Sequence, residues 1–147
     1  MTVATRDKTL SDSAARLRLA ITRTARRLRQ EAAGELSPTS AATLATVERH
    51  GPLTPSELAA RERVQRPTAT RLVARLEELG VLQRAADPTD RRSSLLSVTP
   101  AGHALLEEMR GRKTAYLAHR IEKLDAEERA ALDRAAAILE RLLEDDR

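Results

Sequence analysis

Arg84-Ala85-Ala86-Asp87-Pro88-Thr89-Asp90-Arg91-Arg92-Ser93-Ser94-Leu95-Leu96-Ser97-Val98-Thr99 is the stretch whose reading decides the fold. The apolar pair Val81-Leu82 leads into it, Asp87-Pro88 and Asp90 mark a turn, and Ser94 to Val98 leaves as an alternating run. Two strand-like runs joined by an Asp/Pro turn predict a β-hairpin. Arg91 and Arg92 stand at the turn, so the hairpin has a cationic tip.

Immediately upstream lie two short helical segments. Thr54-Pro55-Ser56-Glu57 reads as a helix start, with proline at the first helical position and Thr54 and Glu57 at capping-box spacing. The short helix Pro55–Arg61 buries Leu58 and Ala59, Glu62-Arg63-Val64-Gln65 turns, and Pro67 opens a second helix running to Leu79 with Gly80 as its stop. On this second helix Ala69, Leu72, Val73, Leu76 and Leu79 form one apolar stripe, while Thr68, Thr70, Arg71 and Arg75 lie toward water. A support helix, a brief turn and a Thr/Arg-rich helix have helix-turn-helix spacing. A major groove about 12 Å wide accepts one α-helix, whose first turns face base edges. Gln65, Arg66, Thr68, Thr70 and Arg71 occupy that end. Arginine can donate two bonds to guanine, glutamine can pair with adenine, a threonine methyl can touch thymine, and each can instead hold a phosphate. With a hairpin right after it, the segment reads as a winged helix-turn-helix that grips double-stranded DNA.

Residues 1–10 show no periodicity and are expected to form a flexible tail. From Ser11, Leu17, Ile21, Ala25 and Leu28 recur at helical spacing among Arg16, Arg23, Arg26, Arg27 and Arg29, predicting a long amphipathic helix that ends near Gly34. Ser37-Pro38-Thr39 opens another helix, with Leu44 and Val47 inward and a stop at His50-Gly51-Pro52. After the hairpin, Thr99-Pro100-Ala101-Gly102 starts a long helix carrying Ala104, Leu105, Met109, Tyr116, Leu117 and Ile121. A last helix, Ala126 to Glu144, carries Leu132, Ala135, Ile138, Leu139 and Leu142. The first helix and these two are more apolar than one small winged helix needs. A second copy of the chain is the economical cover, because a two-fold dimer matches a palindromic duplex site. The expected fold is mainly α: an α+β winged helix-turn-helix core over residues 37–100, with 11–36 and 101–145 forming a helical dimerisation layer in a single intertwined unit.

Composition narrows the function classes. A chain of 147 residues can bury a real core, since roughly 68–70% of the unfolded surface is lost at this size. One Tyr, no Phe and no Trp leave the core to Leu, Val, Ile and Ala, and leave little to stack on unpaired bases, against single-strand binding. The absence of cysteine excludes disulfides, thiolate metal sites and a cysteine redox switch. His50, His103 and His119 have no metal-ligand spacing, so no metal is expected, and no motif calls for a cofactor. No stretch approaches the ~20 apolar residues that span a bilayer, and Met1 to Leu10 lacks the apolar middle of a signal peptide. A cytoplasmic protein without membrane contact is expected. The net charge of +4 says less than its arrangement: Arg61, Arg63, Arg66, Arg71, Arg75, Arg84, Arg91 and Arg92 crowd the middle, and Glu140 to Asp146 is acidic. Nothing resembles a nucleophile elbow, a phosphate loop or paired carboxylates in an apolar setting, so an enzyme is not expected.

The chain resembles the MarR family of bacterial transcriptional regulators from about Ala14 to Leu143. The most specific piece is Asp87-Pro88-Thr89-Asp90-Arg91-Arg92 followed by Leu95-Leu96-Ser97-Val98-Thr99-Pro100-Ala101-Gly102. Leu58-Ala59, Thr68-Ala69-Thr70-Arg71-Leu72-Val73 and Leu76-Glu77-Glu78-Leu79-Gly80-Val81-Leu82-Gln83-Arg84 support it. The resemblance implies a homodimer, more often a repressor than an activator, with recognition helices in major grooves and wing arginines in the flanking minor grooves. By alignment from Thr99 the groove arginine falls on Arg92 and its orienting aspartate on Asp90, joined by a charge-assisted pair. Arg91 and Arg84 would then hold phosphates. A narrow minor groove concentrates negative potential and suits a guanidinium. The resemblance further implies release by a small anionic aromatic effector bound between the helical layer and the winged helix. Leu17, Ile21, Leu44, Val47 and Leu106 would wall such a pocket, and Arg18 or His50 would meet a carboxylate. The alternative to a sequence-specific regulator is an architectural protein that binds DNA without sequence preference.

Overall fold

Three helices begin with the same local device, a hydroxyl residue followed by proline. Ser37-Pro38, Thr54-Pro55 and Thr99-Pro100 each place the hydroxyl at the N-cap and proline in the first turn, where its missing N–H has no partner to lose. The Ser37, Thr54 and Thr99 oxygens accept from the backbone N–H groups of Ser40, Glu57 and Gly102 at 3.1, 3.2 and 3.1 Å. At Thr54 the box closes, because Glu57 reaches back to the Thr54 N–H at 2.7 Å.

The structure is a computed structural model describing residues 3–144, with side chains from Lys8 onward. Its described elements are α1 (Val3–Glu31), α2 (Pro38–His50), α3 (Pro55–Glu62), α4 (Arg66–Glu78), β1 (Leu82–Ala86), β2 (Ser94–Val98), α5 (Pro100–Ile121) and α6 (Ala126–Glu144). The expected hairpin is present: β1 and β2 pair antiparallel, with Leu82 opposite Val98 and Ala86 opposite Ser94. Leu53 joins its base through two backbone bonds with Leu96, at 3.1 and 2.7 Å. Cross-strand partners share a face, so Leu82, Arg84, Leu96 and Val98 look inward while Gln83 and Ser97 meet on the other side at 3.3 Å.

The core gathers Leu44 and Val47 of α2, Leu58 of α3, Val73 and Leu76 of α4, Leu96 of β2, and Leu106 and Met109 of α5. Two glycines are required where they stand. Gly80 adopts φ 71°, closing α4 so that the chain can reverse into β1. A Cβ on Gly102 would lie 2.2 Å from the Val81 carbonyl oxygen, so only glycine lets α5 start against the wing's base.

One expectation is corrected, and two apolar faces are left open within the chain. Residues 3–10 are helical rather than an irregular tail, since nothing from Val3 to Leu10 is a Gly or Pro that would stop α1; Met1 and Thr2 lie outside the described residues. Leu17 and Ile21, expected to belong to the helical layer and to wall an effector pocket, are 45% and 44% exposed. The last helix keeps its apolar stripe, yet α6 buries none of its described residues.

Candidate nucleic-acid interface

The left-handed residue between α3 and α4 sets the angle of the pair. Arg63 sits at φ 53°, and its N–H bonds back to the Ala60 carbonyl. The chain then enters α4 through Gln65, which is extended and makes no side-chain cap bond. Its amide therefore remains available at the helix start.

Along α4, Ala69, Val73 and Leu76 are buried while Gln65, Arg66, Thr70, Arg71 and Arg75 are exposed. Thr68 is half-buried, and this departs from the expectation that it faces water. The Thr70 hydroxyl donates to the Arg66 carbonyl at 2.9 Å, which commits its proton and leaves the methyl group for apolar contact. Arg75 meets Glu78 at 3.4 Å in an open, weak pair. The Arg66 and Arg71 guanidinium groups have no hydrogen-bond or ion-pair partner among the described residues.

At the wing tip, both aspartates fold the backbone. Asp87 Oδ1 accepts from the Thr89 N–H at 2.8 Å and the Thr89 hydroxyl at 2.7 Å, and these bonds hold its carboxyl below the usual range. Asp90 Oδ1 accepts from the Arg92 backbone N–H at 2.9 Å, and the Asp90 carbonyl accepts from Ser93 at 3.0 Å. The expected pair between the Asp90 carboxylate and the Arg92 guanidinium is thus replaced by an Asx turn. Asp90 aims the residue through its main chain, because a two-residue separation brings the carboxylate to the N–H first. The Arg91 and Arg92 guanidinium groups are exposed and unpaired among the described residues.

Arg84 behaves differently from the reading that gives it a phosphate. Its Nε and Nη2 donate to both Glu77 oxygens at 3.1 Å each, and Nη1 reaches Ser94 Oγ at 3.3 Å. The Glu77 carboxylate raises the guanidinium's pKa, so the charge is already matched within the chain. Glu77 was no sequence candidate. Its only signal was a carboxylate just before the glycine turn, seven residues ahead of an arginine.

The residues expected to wall an effector pocket do not come together. Leu17, Arg18 and Ile21 are exposed on α1, Leu44 and Val47 are fully packed core, and His50 is exposed at the end of α2. Instead a cavity of about 200 Å³ opens where the end of α1 meets α2 and α5. Ala32, Leu36, Ala41, Ala45, Leu106 and Met109 line it, with Arg29, Arg110 and Lys113 among its walls. Leu106 alone belongs to both sets. At this seam Arg110 of α5 pairs with Glu48 of α2, whose other oxygen lies 3.0 Å from His103 Nδ1. Chiefly the Arg110 bond holds the Glu48 carboxyl below its ordinary range.

Comparison with known proteins gives one answer at three levels. The MarR family profile matches residues 36–94. The chain is 35% identical to an HTH-type transcriptional regulator of Mycobacterium bovis over 88% of its own length and 91% of the relative's. It is 32% identical to the HTH-type transcriptional repressor MdtR of Bacillus subtilis over 63% of this chain and 60% of that one. Among solved structures, a transcriptional regulator from Pseudomonas aeruginosa superposes with a TM-score of 0.81 at 35% identity, covering 94% of this chain and 96% of that chain.

Proposed function

The chain belongs to the MarR family of DNA-binding transcriptional regulators, and from that premise we propose that it is a homodimeric repressor of a palindromic operator. The observation that carries the DNA reading is the state of its arginines. Arg84 and Arg110, which tie elements together, are ion-paired, whereas the guanidinium groups of Arg66 and Arg71 on α4 and of Arg91 and Arg92 at the wing tip are exposed and have no hydrogen-bond or ion-pair partner among the described residues. Gln65, Arg66, Thr70 and Arg71 read or hold the major groove, Arg92 enters the minor groove, and Arg91 takes a phosphate.

The dimer reading rests on the helical layer. Leu132, Ile138 and Leu142 of α6 are 46%, 47% and 56% exposed, and Leu17 and Ile21 of α1 add to them. An apolar surface of this kind on a soluble chain marks an interface, and a second copy places two recognition helices on two half-sites. A small anion with an apolar body suits the α1–α2–α5 cavity, where alanines give room and Arg29 and Lys113 supply charge. Its volume of about 200 Å³ exceeds an engineered apolar cavity of about 150 Å³ that takes up benzene.

Selection of bound sites from random duplexes tests the central claim. A palindrome should emerge, bound roughly 10³-fold or more above random DNA. With about three to five phosphates neutralised per subunit, log affinity should fall against log salt with a slope of about −5 to −9. Equal affinity for all duplexes would replace the regulator with an architectural protein.

A further inference from the structure

Past its base, the wing is held to the helical body by very little. Leu82 and Leu96 bury the base, and Leu53 binds Leu96 through the backbone. Toward the tip, the bonds of Asp87, Thr89, Asp90, Arg92 and Ser93 all close within the hairpin. Arg84 is the outermost wing residue with a hydrogen bond or ion pair to the helices, among the described residues. It crosses from the inner face of β1 to Glu77 in the last turn of α4, and touches Ser94 on β2. The covalent link between these elements passes through Gly80, whose left-handed backbone has no neighbour within 4 Å of a would-be Cβ. That link is itself bonded, the Val81 N–H to the Leu76 carbonyl at 3.1 Å and the Thr99 hydroxyl to the Gly80 carbonyl at 2.7 Å, so it fixes the base of the wing, and Arg84 adds the tie farther out along the hairpin.

We propose that Glu77, Arg84 and Ser94 form a clamp that fixes the angle between the wing and the recognition helix, which makes Arg84 a positioning residue and not a phosphate contact. The proposal rests on the reading that the wing tip enters a groove. A rigid angle matters because the helix and the tip must reach different grooves of one duplex together. Two parallel N–H···O bonds fix direction as well as distance, and a point charge such as lysine cannot reproduce this. Being paired, Arg84 also releases no counterion from DNA, so it should be silent in the salt dependence.

The test uses the full chain and a duplex selected by the wild type from a random pool. Glu77→Gln and Arg84→Lys should each weaken binding about fivefold, the scale of a well-formed exposed pair in each subunit. The two together should weaken it no further, and the salt slope should stay at the wild-type value. The exchange Glu77→Arg with Arg84→Glu should recover most of the loss. Hydroxyl-radical footprints of the single variants should lose flanking minor-groove protection before the central protection, with thermal midpoints near the wild type's. If Arg84 instead held a phosphate, Glu77→Gln would tighten binding, and Arg84→Gln would lower the slope by about 0.9 per subunit. Either result overturns the clamp. Arg92→Ala, run beside these variants, separates the two failures: unchanged affinity there would remove the groove reading itself, whereas a loss there with no effect of Glu77→Gln would remove only the clamp.

Discussion

The winged helix and the α6 layer both draw their apolar faces chiefly from Leu and Ala, yet treat them in opposite ways. In the former, Leu44, Leu58, Leu76 and Leu96 are fully buried, and every helix start from α2 to α4 except that of α4 carries a side-chain cap. In the latter, α6 has the same apolar periodicity and buries none of its described residues. The first region is complete within one chain. The second has an apolar face without a cover, and its stability is tied to whatever supplies that cover.

The largest effect should come from denying that cover. Ile138→Glu with Leu142→Glu places two charges on the exposed stripe and should give a monomer by sedimentation. Operator affinity should then fall at least ~100-fold, because the two half-sites no longer act as one bivalent target. Circular dichroism of α2 to α5 should persist. A dimer of unchanged affinity would show that the α6 face has another use.

Next in size is the contrast between equal truncations on the two sides. Leu96 is wholly buried and Leu132 is 46% exposed. Within the monomeric double variant, Leu96→Ala should lower stability by about 3 kcal/mol, and Leu132→Ala by no more than about 0.5 kcal/mol. In the dimer the second figure should rise. Denaturant titration of the double variant, its two truncations, the wild type and its Leu132→Ala form measures these losses, and equal losses in the monomer would erase the distinction.

A smaller effect concerns function on the complete side. Arg92→Ala should reduce operator affinity about tenfold, the value of roughly one groove contact, with the dimer intact. A fluorescence titration with labelled duplex reads this directly.

The same contrast explains what could be read from the sequence. The capped helix starts, the glycine stop and the Asp/Pro turn are local, so Thr54-Pro55-Ser56-Glu57 and Asp87-Pro88 identify their structures unaided. Leu17, Ile21 and the α6 stripe announce an apolar face, but periodicity does not say whether the cover lies in the same chain. Arg84 shows a different limit. Its charge is visible in the sequence, whereas its partner is set by a left-handed turn at Gly80 and by the register that places it on the inner face. Asp90 binds a backbone N–H where a guanidinium was expected, since the main chain is nearer. The cavity is hardest to foresee, because it arises where Ala41 and Ala45 leave space, and small residues give no positive signal.

The smallest effect lies at the seam between α2 and α5, where Glu48 bonds Arg110 and His103. Arg110 holds the Glu48 carboxyl below its ordinary value of 4.5. A carboxylate favoured in the folded state contributes stability that is present above the unfolded pKa and lost as pH falls through the folded one. Glu48→Gln should therefore be less stable than the wild type near neutrality, and the difference should shrink as pH falls below the ordinary carboxylate range and vanish once the folded-state carboxylate is protonated. Because Glu48 is largely covered while Arg110 is half exposed, water screens the pair and the neutral-pH loss should stay within about 1 kcal/mol. Arg110 also lines the cavity, so an anion bound there competes with Glu48 for the same guanidinium. An aromatic carboxylate that binds the wild type should bind Glu48→Gln more tightly, since Arg110 then keeps only its more exposed pair with Glu107. Calorimetric titration decides this, and equal affinity for both proteins would mean that the seam and the cavity act independently.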